Sequence, residues 1–151
     1  MIIDFHTHAF PDKIAERTIR ILEGNVLKVQ GKEAKAVRTG DMAGLRSLMR
    51  QCGVDYSVVL PIATTVTQAP SINRFAAEIN GTEGIFSFGS LHPLQEDWEE
   101  TLRSIKALGL RGIKLHPEYQ QVYIDSPEAV RLLQACAELD LIVVLHAGAD
   151  I

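Results

Sequence analysis

The stretch Gly112-Ile113-Lys114-Leu115-His116, followed by Ser126-Pro127-Glu128 and then by Leu141-Ile142-Val143-Val144-Leu145-His146, reads as strand, helix start and strand. Ser126 is suited to cap a helix, and Pro127 to occupy the first helical position, where a missing N–H costs nothing. Leu133, Cys136 and Ala137 are expected to face inward from that helix. The closing run is apolar without interruption, as in a parallel strand whose outer face is covered by helices.

Moving outward from this unit, the alternation repeats. Ile2 to His6 is expected as a first strand, followed after Pro11 and Asp12 by a helix with Ile14, Thr18, Ile21 and Leu22 on one face and a stop at Gly24. Residues 24–40 lack periodicity and read as an excursion, a small hairpin turning at Gly31. Asp41 caps the next helix, whose apolar face is Met42, Leu45, Leu48, Met49 and Cys52, and Gly53 closes it before a strand from Ser57 to Pro61. Pro70 and Ser71 open a helix carrying Ile72, Phe75, Ala76 and Ile79. A strand from Ile85 to Leu91 follows, then a helix with Trp98, Leu102, Ile105 and Leu108 that ends at Gly109.

The later strands begin at Ser57, Ile85, Gly112 and Leu141, a recurrence of roughly thirty residues, which matches the ~250 residues of an eight-unit barrel divided by eight. The expected fold is therefore α/β, a parallel (β/α) barrel of TIM type. About five strands cannot close it, so residues 1–151 are expected to form a single partial (β/α)8 domain that stops after the fifth strand. An open, doubly wound parallel sheet is the alternative, weakened by the lack of a glycine-rich phosphate loop after the first strand.

Composition narrows the function. Of 151 residues, 46% are hydrophobic, enough for a buried core, and the net charge of -4 comes without a Lys/Arg cluster. Nucleic acid and an anionic membrane are thus not expected partners, and a small-molecule substrate is. The start of the chain has neither a basic leader nor a run of the ~20 apolar residues a membrane span needs, which points to the cytoplasm. Cys52 and Cys136 both fall on apolar helix stripes and are expected to be small buried hydrophobes.

All five histidines, His6, His8, His92, His116 and His146, fall at the C-terminal ends of expected strands, the edge where parallel barrels build active sites. His6 and His8, two apart in an extended strand, share a face and can reach one ion at the ~2.0–2.1 Å typical of zinc and imidazole nitrogen. His146 offers a third nitrogen, with small residues after it that allow close approach. Lys114 and His116 also share a face, which places Lys114 one layer deeper. It would pair with a carboxylate, donate a proton from a lowered pKa, or carry a carboxylate adduct bridging a second metal. His116 would orient substrate or water, or pack. Asp4, two residues before His6, would accept a hydrogen bond from an imidazole and so fix its tautomer. His92 reads as structural. Arg46 and Arg50 read as a solvated helix face, with a grip on a substrate carboxylate as the functional option.

Asp4-Phe5-His6-Thr7-His8, Gly89-Ser90-Leu91-His92-Pro93, Gly112-Ile113-Lys114-Leu115-His116-Pro117 and Leu145-His146-Ala147-Gly148, in this order, resemble the amidohydrolase superfamily, in the branch that includes aminocarboxymuconate semialdehyde decarboxylase. The resemblance implies a divalent metal, usually zinc, on His6, His8 and His146. It also implies a metal-dependent hydrolase or decarboxylase acting on a small carboxylic or cyclic substrate; Lys114 and His116, by their own place at the strand end, are the candidate catalytic groups. A sixth-strand histidine and an eighth-strand aspartate of the family have no counterpart, so the proton-accepting carboxylate would have to come from Asp150 or a second chain. Two other readings stand beside this one. The first is a non-catalytic remnant or assembly module that pairs with another chain or forms a homo-oligomer through open sheet edges. The second is a phosphoesterase or TatD-like nuclease, which also begins with paired histidines.

Overall fold

The computed structural model describes residues 1–147. Its strands are β1 (Ile3–Thr7), β2 (Tyr56–Val59), β3 (Ile85–Ser87), β4 (Gly112–Leu115) and β5 (Ile142–Leu145). The helices are α1 (Asp12–Gln30), α2 (Met42–Cys52), α3 (Ala69–Ile79), α4 (Trp98–Ala107), a single turn α5 (Pro117–Gln120) and α6 (Pro127–Glu138).

The strands are parallel and lie in chain order, β1-β2-β3 in one ladder and β4-β5 in another, joined by a parallel bridge between Gly89 and Ile113. A doubly wound sheet reverses its strand order at a switch point, and no reversal occurs here. The arrangement is that of an incomplete barrel. Gly112 sits at the tightest point of the β4-β5 pair, where an added Cβ would collide with the Ile142 carbonyl oxygen and the Phe88 ring.

Helices pack on one face of this sheet. Leu102 and Ile105 of α4, with Leu132 and Cys136 of α6, bury against Ile113 and Leu115 of β4. Met42 and Met49 of α2, with Ile79 of α3, gather around Val59 and Ile85. On the opposite side Val58, Leu60 and Phe88 cluster with Val144. The alternation along β2 thus separates a helix-facing layer from a barrel-facing one.

Capping explains several boundaries. The Asp41 carboxylate accepts from the Gly44 N–H at 2.7 Å and Ser126 from Ala129 at 3.2 Å, while Gly53 takes the left-handed conformation (φ 66°) that ends α2.

Four expectations require correction. α1 does not stop at Gly24 but runs to Gln30, and Gly31 (φ 66°) is its C-cap with its N–H on Leu27 O, so there is no hairpin. One helical glycine costs only about 1 kcal/mol, and Val26, Leu27 and Val29 continue the helix beyond it. In α6 the buried face is Ala129, Leu132 and Cys136, while Ala137 is exposed. Cys52 is exposed at the last turn of α2, and only Cys136 is buried, its thiol pushed up to about 11 by desolvation. β5 is half open, with Ile142 54% exposed, because no strand lies on its far side among the described residues. No described helix is long and apolar enough to cross a membrane.

Candidate active site

The histidines do collect at the C-terminal edge of the sheet. His6 lies in β1, and His8, His92, His116 and His146 follow their strands. The β1-β2 register slips between Asp4 and Thr7, leaving one extra residue on β1. Such bulges re-aim side chains. This one interrupts the alternation that would set Asp4 beneath His6, and the Asp4 carboxylate accepts instead from the His6 backbone N–H at 3.2 Å. Asp4 still favours protonated His6 electrostatically.

The rings of His6 and His8 lie edge to face with centroids 5.0 Å apart. Two imidazoles sharing one tetrahedral ion at ~2.1 Å would have centroids roughly 5 Å apart. His8 Nδ1 is 2.9 Å from Leu60 O, so this nitrogen carries the proton and Nε2 keeps its lone pair. Although part of its surface reaches solvent, desolvation, and then the charge of His6, hold the His8 pKa down to about 4. His6 is lowered first by desolvation, then by Lys114 and His146. Both rings are therefore poised neutral, the form that binds metal.

Across the mouth, His146 has a buried Nε2 without a hydrogen-bond partner among the described residues. Its ring stacks on His116 at 3.9 Å and 10°, and His116 stacks in turn on Tyr119 at 4.0 Å and 6°. His116 is the N-cap of α5, a turn the sequence reading missed, and its Nδ1 accepts from the Tyr119 N–H at 3.3 Å. With Nδ1 accepting, a ring proton sits on Nε2, the reverse of His8. Lys114 is fully buried and its Nζ has no hydrogen-bond partner, and desolvation lowers its pKa.

Side chains take over where the ladders end. Ser90 Oγ receives the Ala63 N–H at 2.9 Å and donates to Lys114 O at 2.8 Å, and Asn73 Oδ1 holds the Ser90 N–H at 2.8 Å. Gln120 Oε1 accepts from the His116 N–H at 2.9 Å, while its Nε2 donates to Ala63 O and Leu91 O. Sequence reasoning did not find Ser90, Gln120 or the Leu60 carbonyl. The available signal was a glutamine three or four residues after the histidine of each His-Pro pair, at Gln95 and Gln120.

His92 is buried, with Nδ1 accepting from the Leu94 N–H at 3.2 Å, and serves the loop after β3. Arg46 pairs with Glu83, just before β3, and so lies at the edge of the sheet away from the histidines. Gly148 and Asp150 lie outside the described residues.

The donor chemistry suits a divalent cation: two neutral imidazoles at chelating separation, one fixed by a carbonyl, and an orphaned buried imidazole nitrogen nearby. The set is incomplete, since no group of three His, Cys, Asp or Glu side chains among the described residues could hold an ion.

A family model described as amidohydrolase matches residues 3–151. The chain belongs to the amidohydrolase family. Solved structures share the fold at low identity. The IDCase of Metarhizium anisopliae in apo form superposes with TM-score 0.72 at 18% identity over 97% of this chain and 50% of its own. A 5-carboxyvanillate decarboxylase from Novosphingobium aromaticivorans, with bound manganese and a nitrobenzoic acid, gives 0.70 at 18% identity over 97% and 50%. The 2,6-dihydroxybenzoate decarboxylase from Rhizobium gives 0.62 at 19% over 99% and 50%. This amidohydrolase chain thus spans about half the length of these structures. No curated protein sequence matches it.

Proposed function

We propose that this chain carries the metal-binding half of an amidohydrolase-type active site, in a metal-dependent decarboxylase or hydrolase acting on a small carboxylic or cyclic substrate. His6 and His8 would hold the ion and His146 would join them by closing toward the pair, since no three described side chains are grouped to hold an ion as they stand, and zinc is the ion their imidazoles suit best. The observation that carries this reading is that His8 has its Nδ1 held by Leu60 O while the Nε2 of His146 is buried without a hydrogen-bond partner among the described residues. Fixing one ring nitrogen on a carbonyl is how proteins aim the other at a metal.

A divalent ion at these nitrogens would supply Lewis acidity to a substrate oxygen. The chain's own residues do the rest. The Lys114 amine, buried without a partner among the described residues, receives a carboxylate, whether from the substrate or from protein. His116 is held flat between Tyr119 and His146, with its Nδ1 taken by the Tyr119 N–H. Asp4 acts one step back, by fixing the backbone of His6.

Elemental analysis of the purified chain tests the reading. About one divalent ion per chain is expected, lost in the His6→Ala/His8→Ala variant. Wild-type protein that takes up no zinc or manganese on dialysis would overturn it.

A second reading, an assembly module completed by another chain, is favoured by the apolar side chains at both open edges. Ile3 and Phe5 of β1 are 52% and 51% exposed, and Ile142 of β5 is 54% exposed. Concentration-dependent sedimentation, abolished by Phe5→Lys, would support it.

A further inference from the structure

The two His-Pro pairs fold into related turns with different reach. In the first, the His92 N–H donates to Gln95 Oε1 at 3.0 Å, and His92 Nδ1 accepts from Leu94. In the second, the His116 N–H donates to Gln120 Oε1 at 2.9 Å, and His116 Nδ1 accepts from Tyr119. Gln95 then spends its amide donors nearby, on Asp97 and Thr101, both at 2.8 Å. Gln120 sends its own across the sheet, to Ala63 O at 2.8 Å after β2 and Leu91 O at 2.9 Å after β3.

We propose that Gln120 is the positioning residue of the barrel mouth: its one carboxamide sets the His116 ring and ties the ends of β2, β3 and β4 at fixed spacing. The side chain is 2% exposed, both amide donors are used, and its oxygen closes the turn that brings the Tyr119 N–H onto His116 Nδ1. Water cannot replace bonds in so enclosed a place without room for it, so the carbonyls of Ala63 and Leu91 depend on this amide. Ala63 is held at both ends, its N–H by Ser90 and its oxygen by Gln120, so the loop after β2 has its place set by side chains from the loop after β3 and from α5. The inference rests on the proposed function only in taking His116 as a mouth group.

The test is nitrogen-15 NMR of the full chain, reading the ring nitrogens of His116 and the side-chain amide of Gln120. In the wild type we expect His116 in one tautomer, protonated at Nε2, and Gln120 Nε2 protons that exchange more slowly than those of exposed Gln30. Gln120→Glu keeps the acceptor for the His116 N–H but turns a carboxyl onto two carbonyls. Gln120→Met removes all three bonds. Both should replace the single His116 tautomer by a mixture, whereas Gln95→Met should leave it intact even where it melts at a similar temperature. A Gln120→Met protein with an unchanged His116 spectrum and merely lower stability would overturn the proposal. Should the variants fail to fold, wild-type Gln120 amide protons exchanging as fast as those of Gln30 would overturn it. Absence of bound metal would sink the proposed function and leave these readouts untouched.

Discussion

The His8 ring reaches from the end of β1 to the end of β2, with Nδ1 2.9 Å from the Leu60 carbonyl oxygen. A backbone carbonyl only accepts, so this contact dictates which nitrogen holds the proton. Long-range proton–nitrogen correlation on the metal-free chain should show His8 protonated at Nδ1, the opposite of His116. Finding the same tautomer on both rings would contradict the geometry.

Stability should fall on acidification. His8 is held near 4 against an ordinary value of 6.5, so above about 6.5 both folded and unfolded chains keep the ring neutral and it adds no pH dependence. Between 6.5 and about 4 the unfolded chain takes up a proton that the folded chain refuses, and stability declines across that window. Below about 4 the loss levels off. His6 and His92, lowered mainly by desolvation, act in the same direction. Urea midpoints measured from about pH 7 to about pH 4 would trace the decline, and a His8→Gln variant should flatten it.

Lys114 keeps a buried amine without a partner, which costs stability in the isolated chain. Lys114→Met, of similar length and without charge, should raise the free energy of unfolding by about 1–3 kcal/mol. If the proposed site turns over a substrate, the same variant should abolish that turnover. A chain destabilised by Lys114→Met would mean that the amine has a counter-charge in solution.

Gly112→Ala should cost about 1–3 kcal/mol, because the new methyl meets the Ile142 backbone and not a flexible side-chain end. Loss of amide protection on Ile113 and Val143, with the β1-β2 ladder intact, is the signature to look for by hydrogen exchange.

Much of this was legible in the sequence because local chemistry fixed it. Asp41, Gly53, Ser126 and Pro127 mark helix ends through bonds within one turn, and those ends stand where expected. Gly24 misled because glycine weakens a helix without forbidding it, and the αL cap at Gly31 was the stronger stop. In α6 the inward face was misphased because Leu132 and Leu133 are equally apolar, and only packing against β4 chooses Leu132. The histidines could be placed because strand ends are where side chains emerge from a parallel sheet. The bulge in β1 was not visible, since no residue type demands it, and with it went the expected contact between Asp4 and the His6 ring. Gln120 escaped because its partners Ala63 and Leu91 are 57 and 29 residues away, and pattern reading is local.

The sheet is continuous in direction but not in its ladder: three strands and two strands meet at the Gly89–Ile113 bridge. His6 and His8 belong to the first piece, and Lys114, His116 and His146 to the second. Whatever is gripped from both sides therefore bridges a mechanical seam. An occupant of the mouth would add a further tie across a junction already crossed by Ser90 and Gln120, and the chain's resistance to unfolding would report occupancy as directly as any assay of its chemistry.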